Sequence, residues 1–242
     1  MEDAEIDQNR SAGAYWKGHF FLFGKRSAPT YGNAAGVALL LIFAVFEWII
    51  GPRLSLLEFL HYPLPDFWLR MPIMLGAVLL AVRLVAGIKL SAIGLYGWRK
   101  WSATEKSYFL QVLVIANVIF AVVVAARLRT IMTGPSALDH VWRVFVPYLL
   151  WGIYQEVLYR GILQTELVRR WGSWLGLFVS NLLFTFGPLH FYHFAGGTAS
   201  LPIFAAIFAI GLFFGVLFLR SGNLWMVGIF HGIGNMYLDG TQ

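Results

Sequence analysis

Seven stretches of nearly continuous apolar residues, at about 31–50, 67–88, 108–126, 141–167, 174–190, 201–219 and 224–238, constrain this chain more than any other feature. Each comes near the ~20 residues that a helix needs to cross a bilayer, where backbone N–H and C=O groups must be bonded within the segment. The expected fold is therefore all-α: a polytopic transmembrane helical bundle of about seven spans. Composition agrees, since 12% of the 242 residues are charged and 59% are hydrophobic, against a charged share of about 25% in soluble domains. Gly51-Pro52 is expected to stop the first span, and Pro147 to bend the fourth.

Residues 1–30 read as a polar N-terminal segment without the apolar core and small-residue cleavage site of a signal peptide. Residues 15–23 within it suit the membrane interface. Residues 31–242 read as a single transmembrane domain, with no fixed-period repeat or linker to mark a second one. The formal charge of +6 does not point to nucleic acid, because Lys and Arg lie in short flanks between apolar runs. An N-terminus inside places Arg10, Lys17, Lys25, Arg26, Lys89, Arg99, Lys100, Lys106, Arg169, Arg170 and Arg220 on the cytoplasmic side. It leaves Arg53, Arg127, Arg129 and Arg143 outside, a bias that predicts N-in, C-out. With no Cys, the chain has no disulfide, thiolate nucleophile or Cys-ligated metal.

Three polar clusters interrupt the apolar sequence: Gln155-Glu156-Val157-Leu158-Tyr159-Arg160, Phe186-Gly187-Pro188-Leu189-His190 and His231-Gly232-Ile233-Gly234-Asn235. Ionisable side chains are costly inside a membrane and mark functional sites by default. Residues four apart share a helical face, which pairs Glu156 with Arg160, Phe186 with His190 and His231 with Asn235. Gln155 and Glu156 stand about 100° apart around the axis, so one is expected to face a reacting centre while the other supports it. From the inner helix ends, Glu156 comes out ~20 Å, His190 ~25 Å and His231 ~12 Å along their spans, which places the site at mid-membrane or toward the outer face. Two imidazoles, a carboxylate and carboxamides suit hydrolysis: one group deprotonates water, a His protonates the leaving amine, and His with Asn donates to the oxyanion.

Taken singly, each cluster also has a purely structural reading. Glu156 and Arg160 make a buried helix ion pair, His190 beside Phe191-Tyr192-His193 suits an aromatic belt, and His231 with Asn235 suits interhelical hydrogen bonding among small residues. Three clusters on separate spans point to chemistry. Glu47, Arg70, Arg83 and Asn117 read as end-of-span or helix-contact residues, and His19, His61, His140 and His193 as interfacial or loop residues.

The second half of the chain resembles the CAAX-protease and bacteriocin-processing family of intramembrane endopeptidases. Its signatures are Glu-Glu-x-x-x-Arg, Phe-x-x-x-His and His-x-x-x-Asn or Asp. Glu156 to Arg160, Phe186 to His190 and His231 to Asn235 match them in order, over a motif region of 141–239. The resemblance implies Gln155, Glu156, His190, His231 and Asn235 as the catalytic set, with Arg160 and Phe186 supporting. The family's leading Glu, taken to activate the attacking water, falls on Gln155, and a carboxamide is no general base near neutral pH. Three explanations stand: an inactivating substitution that traps the enzyme, a natural pseudoenzyme, or catalysis by Glu156. The first is preferred because the other signature residues are present and Gln is the nearest isostere of Glu.

Three functions follow. One is a glutamate-dependent endopeptidase without cofactor, acting in C-terminal processing or sorting of a membrane-anchored or lipidated protein. The resemblance suggests either prenylated proteins or bacterial peptides and C-terminally anchored proteins as substrates. A compact chain without an organellar targeting segment and a site toward the outer face lean toward a bacterial inner membrane, and loop charge puts the N-terminus in the cytoplasm. The partners are the bilayer and a peptide, not nucleic acid. The second is a zinc protease on Glu156, His190 and His231. The third is a non-catalytic transporter or immunity protein.

Overall fold

The computed structural model describes residues 30–241, so the reading of 1–30 as a polar segment lies outside the described residues apart from its last position. Among the described residues every regular element is helical. Helix α1 covers Asn33–Phe59, α2 Phe67–Leu84 and α3 Ala103–Val123. A short α4, Ala125–Thr133, leads to a long α5 at 137–171, followed by α6 at Ser173–Phe186. An irregular 3-10 stretch, Pro188–Ser200, passes into α7, Leu201–Ser221, and α8 spans Leu224–Leu238.

Among the described residues four stretches are long and apolar enough to cross a membrane: Asn33–Phe59, Phe67–Leu84, Ala103–Val123 and Pro188–Ser221. Helices α5 and α8 fall outside that set for physical reasons. The first carries Gln155, Glu156, Arg160, Gln164 and Glu166, and the second has 15 residues.

Gly51-Pro52 does not stop the first helix. Residues Val45–Ile50 form a π turn whose last bond runs from the Gly51 N–H to the Phe46 carbonyl, and Pro52 follows in the first turn of the next α segment. Proline has no N–H to give and is tolerated at that position. The same device recurs in α5, where a π turn at Val141–Phe145 closes on a Val146 N–H to Val141 carbonyl bond just ahead of Pro147. In both helices the chain continues through the proline.

Local signals fix other helix ends. Ser102 and Glu105 form a reciprocal capping box on α3, with Ser102 Oγ accepting from the Glu105 N–H at 3.1 Å and Glu105 Oε2 from the Ser102 N–H at 2.8 Å. Asn223 Oδ1 accepts from the Met226 N–H to cap α8, and Gly222, at φ 63°, ends α7 in the left-handed region.

The centre of the bundle is the second half of α5, where every residue from 152 to 167 is buried. Its surroundings are α1, α6, α7 and α8. By contrast α3 turns Leu110, Val114, Ile115, Val118, Ile119 and Val122 outward, as suits a helix facing lipid.

Candidate active site

Helices α5 and α8 approach each other at glycines. A Cβ at Gly152 would collide with the backbone of Gly232 and lie 2.8 Å from the His231 carbonyl carbon, while a Cβ at Gly228 would meet Ile153 Cα at 3.3 Å. Small residues of this kind let helix backbones come close in membranes. At this crossing, Asn235 Nδ2 donates to Gln155 Oε1 at 3.3 Å and His231 Nδ1 donates to Glu156 Oε1 at 2.7 Å. Neighbouring side chains on α5 thus both reach α8, one turn apart, because the axes lie so near.

Glu156 is completely buried and its two oxygens are engaged, Oε1 by His231 and Oε2 by Arg160 Nε at 3.1 Å. The pairing expected of Glu156 and Arg160 is present. Arg160 also donates through Nη2 to the Gly211 carbonyl at 2.9 Å, and one turn on Gln164 Nε2 donates to the Gly215 carbonyl at 2.8 Å. These bonds clamp the π segment Val157–Gln164 of α5 to two glycines of α7. π turns inside α-helices frequently occur at functional sites.

His190 is not helical with Phe186. Helix α6 ends at Phe186, Gly187 is extended, and His190 sits in the 3-10 stretch with its Nδ1 donating to the Phe184 carbonyl at 2.8 Å. The ~25 Å count along a continuous helix therefore does not apply to it. A carbonyl only accepts, so Nδ1 carries the proton and Nε2 keeps its lone pair in the neutral ring. The same logic assigns the Nδ1 proton of His231, which faces a carboxylate.

Phe186 lies away from this cluster. It is 44% exposed and its ring packs against Phe194 and Phe204 at 6.5 and 5.3 Å. The aromatic that organises the site is Phe184, two residues earlier and buried. His190 and His231 both meet its ring edge-on, with centroids at 5.1 and 5.9 Å, Tyr159 does so at 5.1 Å, and the Arg160 guanidinium stands 4.8 Å from its centroid. Reading the Phe-x-x-x-His spacing as a helical i, i+4 contact missed Phe184, because the helix stops before the His.

Other sequence readings meet mixed outcomes. Asn117 is a helix contact, accepting from Tyr237 OH at 3.0 Å. Arg70 pairs with Glu58 at 3.2 Å. Glu47 is a helix contact rather than an end-of-span residue: buried inside α1, it accepts from Tyr159 OH of α5 at 2.7 Å. Among the described residues no three His, Cys, Asp or Glu side chains gather to hold a metal ion. Glu156, His190 and His231 are not gathered as such a group, and both oxygens of Glu156 are taken by Arg160 and His231.

Fold and site together define a membrane protein, helical throughout its described residues, with a buried carboxylate, an imidazole and two carboxamides paired at one helix crossing and a second imidazole, His190, against the same Phe184 ring. Residues 135–237 match the family model described as type II CAAX prenyl endopeptidase Rce1-like. This bears out the family resemblance of the three motifs, and the matched segment contains every candidate site residue while leaving α1 to α4 outside it. The family is one of peptidases, which supports a membrane protease with a peptide or protein substrate in general terms. No curated protein and no solved structure matches the chain.

Proposed function

We propose that the chain is the framework of a glutamate-dependent intramembrane endopeptidase in which residue 155 is the water-activating position and Gln155 renders it inactive. The observation that carries this reading is the pairing of Gln155 with Asn235 directly beside the pairing of Glu156 with His231. A carboxylate at 155 accepts from Asn235 as the present carboxamide does, and adds the lone pair that a general base needs. Catalysis by Glu156 is disfavoured on geometry, because its carboxylate is wholly enclosed and both its oxygens already serve Arg160 and His231.

In the Gln155→Glu protein, the carboxylate takes a proton from water as the oxygen attacks the scissile carbonyl. Asn235 Nδ2–H and protonated His231 Nε2–H donate to the resulting oxyanion. Collapse of the tetrahedral intermediate breaks the C–N bond, and His190 Nε2 conveys the proton to the leaving amine. Glu156 and Arg160 hold His231 and the α5 turn in place. The proposed setting is a bundle of seven spans with the N-terminus cytoplasmic, in a bacterial inner membrane. Its substrate is a membrane-anchored or lipidated protein processed near its C-terminus.

The test is a mass-spectrometric cleavage assay in liposomes, comparing the chain with its Gln155→Glu variant on prenylated and C-terminally anchored peptides. Cleavage by the variant alone is expected. Equal cleavage by both proteins would sink the assignment of residue 155, and cleavage by neither would count against the protease.

A further inference from the structure

Glu47 is 2% exposed near the middle of α1, outside the segment that carries the family match. A buried carboxylate in an apolar span calls for a reason. Its hydrogen-bond partner is a phenol, Tyr159 OH donating to Oε1 at 2.7 Å, and the backbone N–H of Leu189 lies near enough to favour the same carboxylate. Leu189 immediately precedes His190. The next residue of α1, Trp48, packs its ring edge-on to Phe191, immediately after His190, with centroids 6.0 Å apart. Consecutive residues of one π turn, Val45–Ile50, therefore bracket His190 along the chain.

Tyr159 is the other half of the connection. It is fully buried on α5, one turn beyond Gln155, with its ring edge-on to Phe43 of α1 at 5.2 Å and to Phe184 at 5.1 Å. A Cβ at Gly187 would lie 2.9 Å from its hydroxyl oxygen, so the chain entering the His190 stretch passes directly over Tyr159. The stretch itself, Pro188–Ser200, is irregular, with Gly197 at φ 55° breaking its helical path. Its 3-10 bonds are poorer in geometry than an α ladder and hold His190 less firmly than an α-helix would. The Glu47 carboxylate supplies an external anchor, tying that stretch to the α5 turn that bears residues 155 and 156.

We infer that Glu47 is a positioning residue for His190: it fixes the Pro188–Ser200 stretch and Tyr159 to one carboxylate, making α1 part of the site's framework. The kinetic half of the test rests on the protease reading above, and the structural half does not.

The chain has no cysteine, so Tyr192→Cys, at a residue that is 69% exposed, gives a single site for a nitroxide label next to the anchored stretch. In the otherwise unaltered chain in nanodiscs, Glu47→Leu is expected to narrow the electron paramagnetic resonance lines as the label gains mobility. Glu47→Gln retains an acceptor for Leu189 and a donor for the Tyr159 oxygen, and is expected to leave the label ordered. Should Glu47→Leu fail to fold, Tyr159→Phe removes the phenol donor alone and carries the same expectation of greater mobility.

In the Gln155→Glu background, Glu47→Leu is expected to lower kcat roughly 10- to 100-fold, the penalty of misplacing a catalytic group by about 1 Å. KM should stay within about twofold, and Glu47→Gln should restore most of kcat. A label unchanged by Glu47→Leu overturns the inference. So does a kcat loss accompanied by an unchanged label, because Glu47 would then act at the reacting centre itself. If Gln155→Glu cleaves nothing, the protease reading fails while the label spectra still decide the anchor.

Discussion

Replacing Gly152 by alanine tests the helix crossing on which the site depends. The new methyl would lie 2.8 Å from the His231 carbonyl carbon and closer still to Gly232 N and Cα, whereas ordinary contacts begin at 3.4 Å. The obstructing atoms are all backbone, so no side chain can rotate away, and α5 and α8 must part by about 1 Å or distort. A separation of that size takes the 3.3 Å bond between Asn235 and Gln155 past the limit of a hydrogen bond and stretches the 2.7 Å bond between His231 and Glu156. Overpacking costs about 1–3 kcal/mol. Losing a hydrogen bond to the buried charge adds about 1.5–3 kcal/mol. The expected total is several kcal/mol of stability, and in the Gln155→Glu background a loss of cleavage of at least about 100-fold. Denaturant unfolding in mixed micelles measures the first and the peptide assay the second. Gly76→Ala is the control, since no atom lies within 4 Å of its added methyl. If Gly152→Ala unfolded at the same denaturant concentration as Gly76→Ala and cleaved as fast as its parent, the close crossing would not be what builds the site.

Two further pairs of substitutions separate the site from its surroundings. Phe184→Ala empties the ring position shared by Tyr159, Arg160, His190 and His231 and should cost about 3–5 kcal/mol, whereas Phe186→Ala, at a half-exposed ring, should cost less than about 1 kcal/mol; equal unfolding midpoints for the two would refute the assignment of Phe184. Glu156→Gln leaves Arg160 as an uncompensated buried charge and should cost about 3–5 kcal/mol. Adding Arg160→Met should recover a large part of that loss, so a double variant no more stable than Glu156→Gln would mean the pair is not coupled.

The site is legible in the sequence to the extent that its residues are polar among apolar neighbours within each cluster. Gln155, Glu156, Arg160, His231 and Asn235 stood out in this way, and the structure joins them across α5 and α8. The spacing of four predicts Phe186 and His190 on one helical face, but the helix ends at Phe186 itself and the ring beside His190 is Phe184. Phe184 carries no signal of its own, being one of 21 phenylalanines. Gly51-Pro52 read as a stop because proline breaks an α-helix from within. The sequence does not show that a π turn precedes it and hands the chain on with Pro52 in a first turn, where no N–H is required.

Glu47 shows most directly why motif reading runs out. As a lone carboxylate in an apolar run it was visible, yet its partner Tyr159 lies 112 residues away and its other contact is a backbone amide that no residue type announces. Spacing along one helix reports what that helix presents, but it says nothing about which distant helix receives it. The same π turn that carries the chain up to Pro52 also holds Glu47 and Trp48 against the residues flanking His190. A proline that looked like a terminator thus belongs to the element that reaches the site. On this reading α1 contributes to the geometry of the site although the family motifs lie wholly in the second half of the chain.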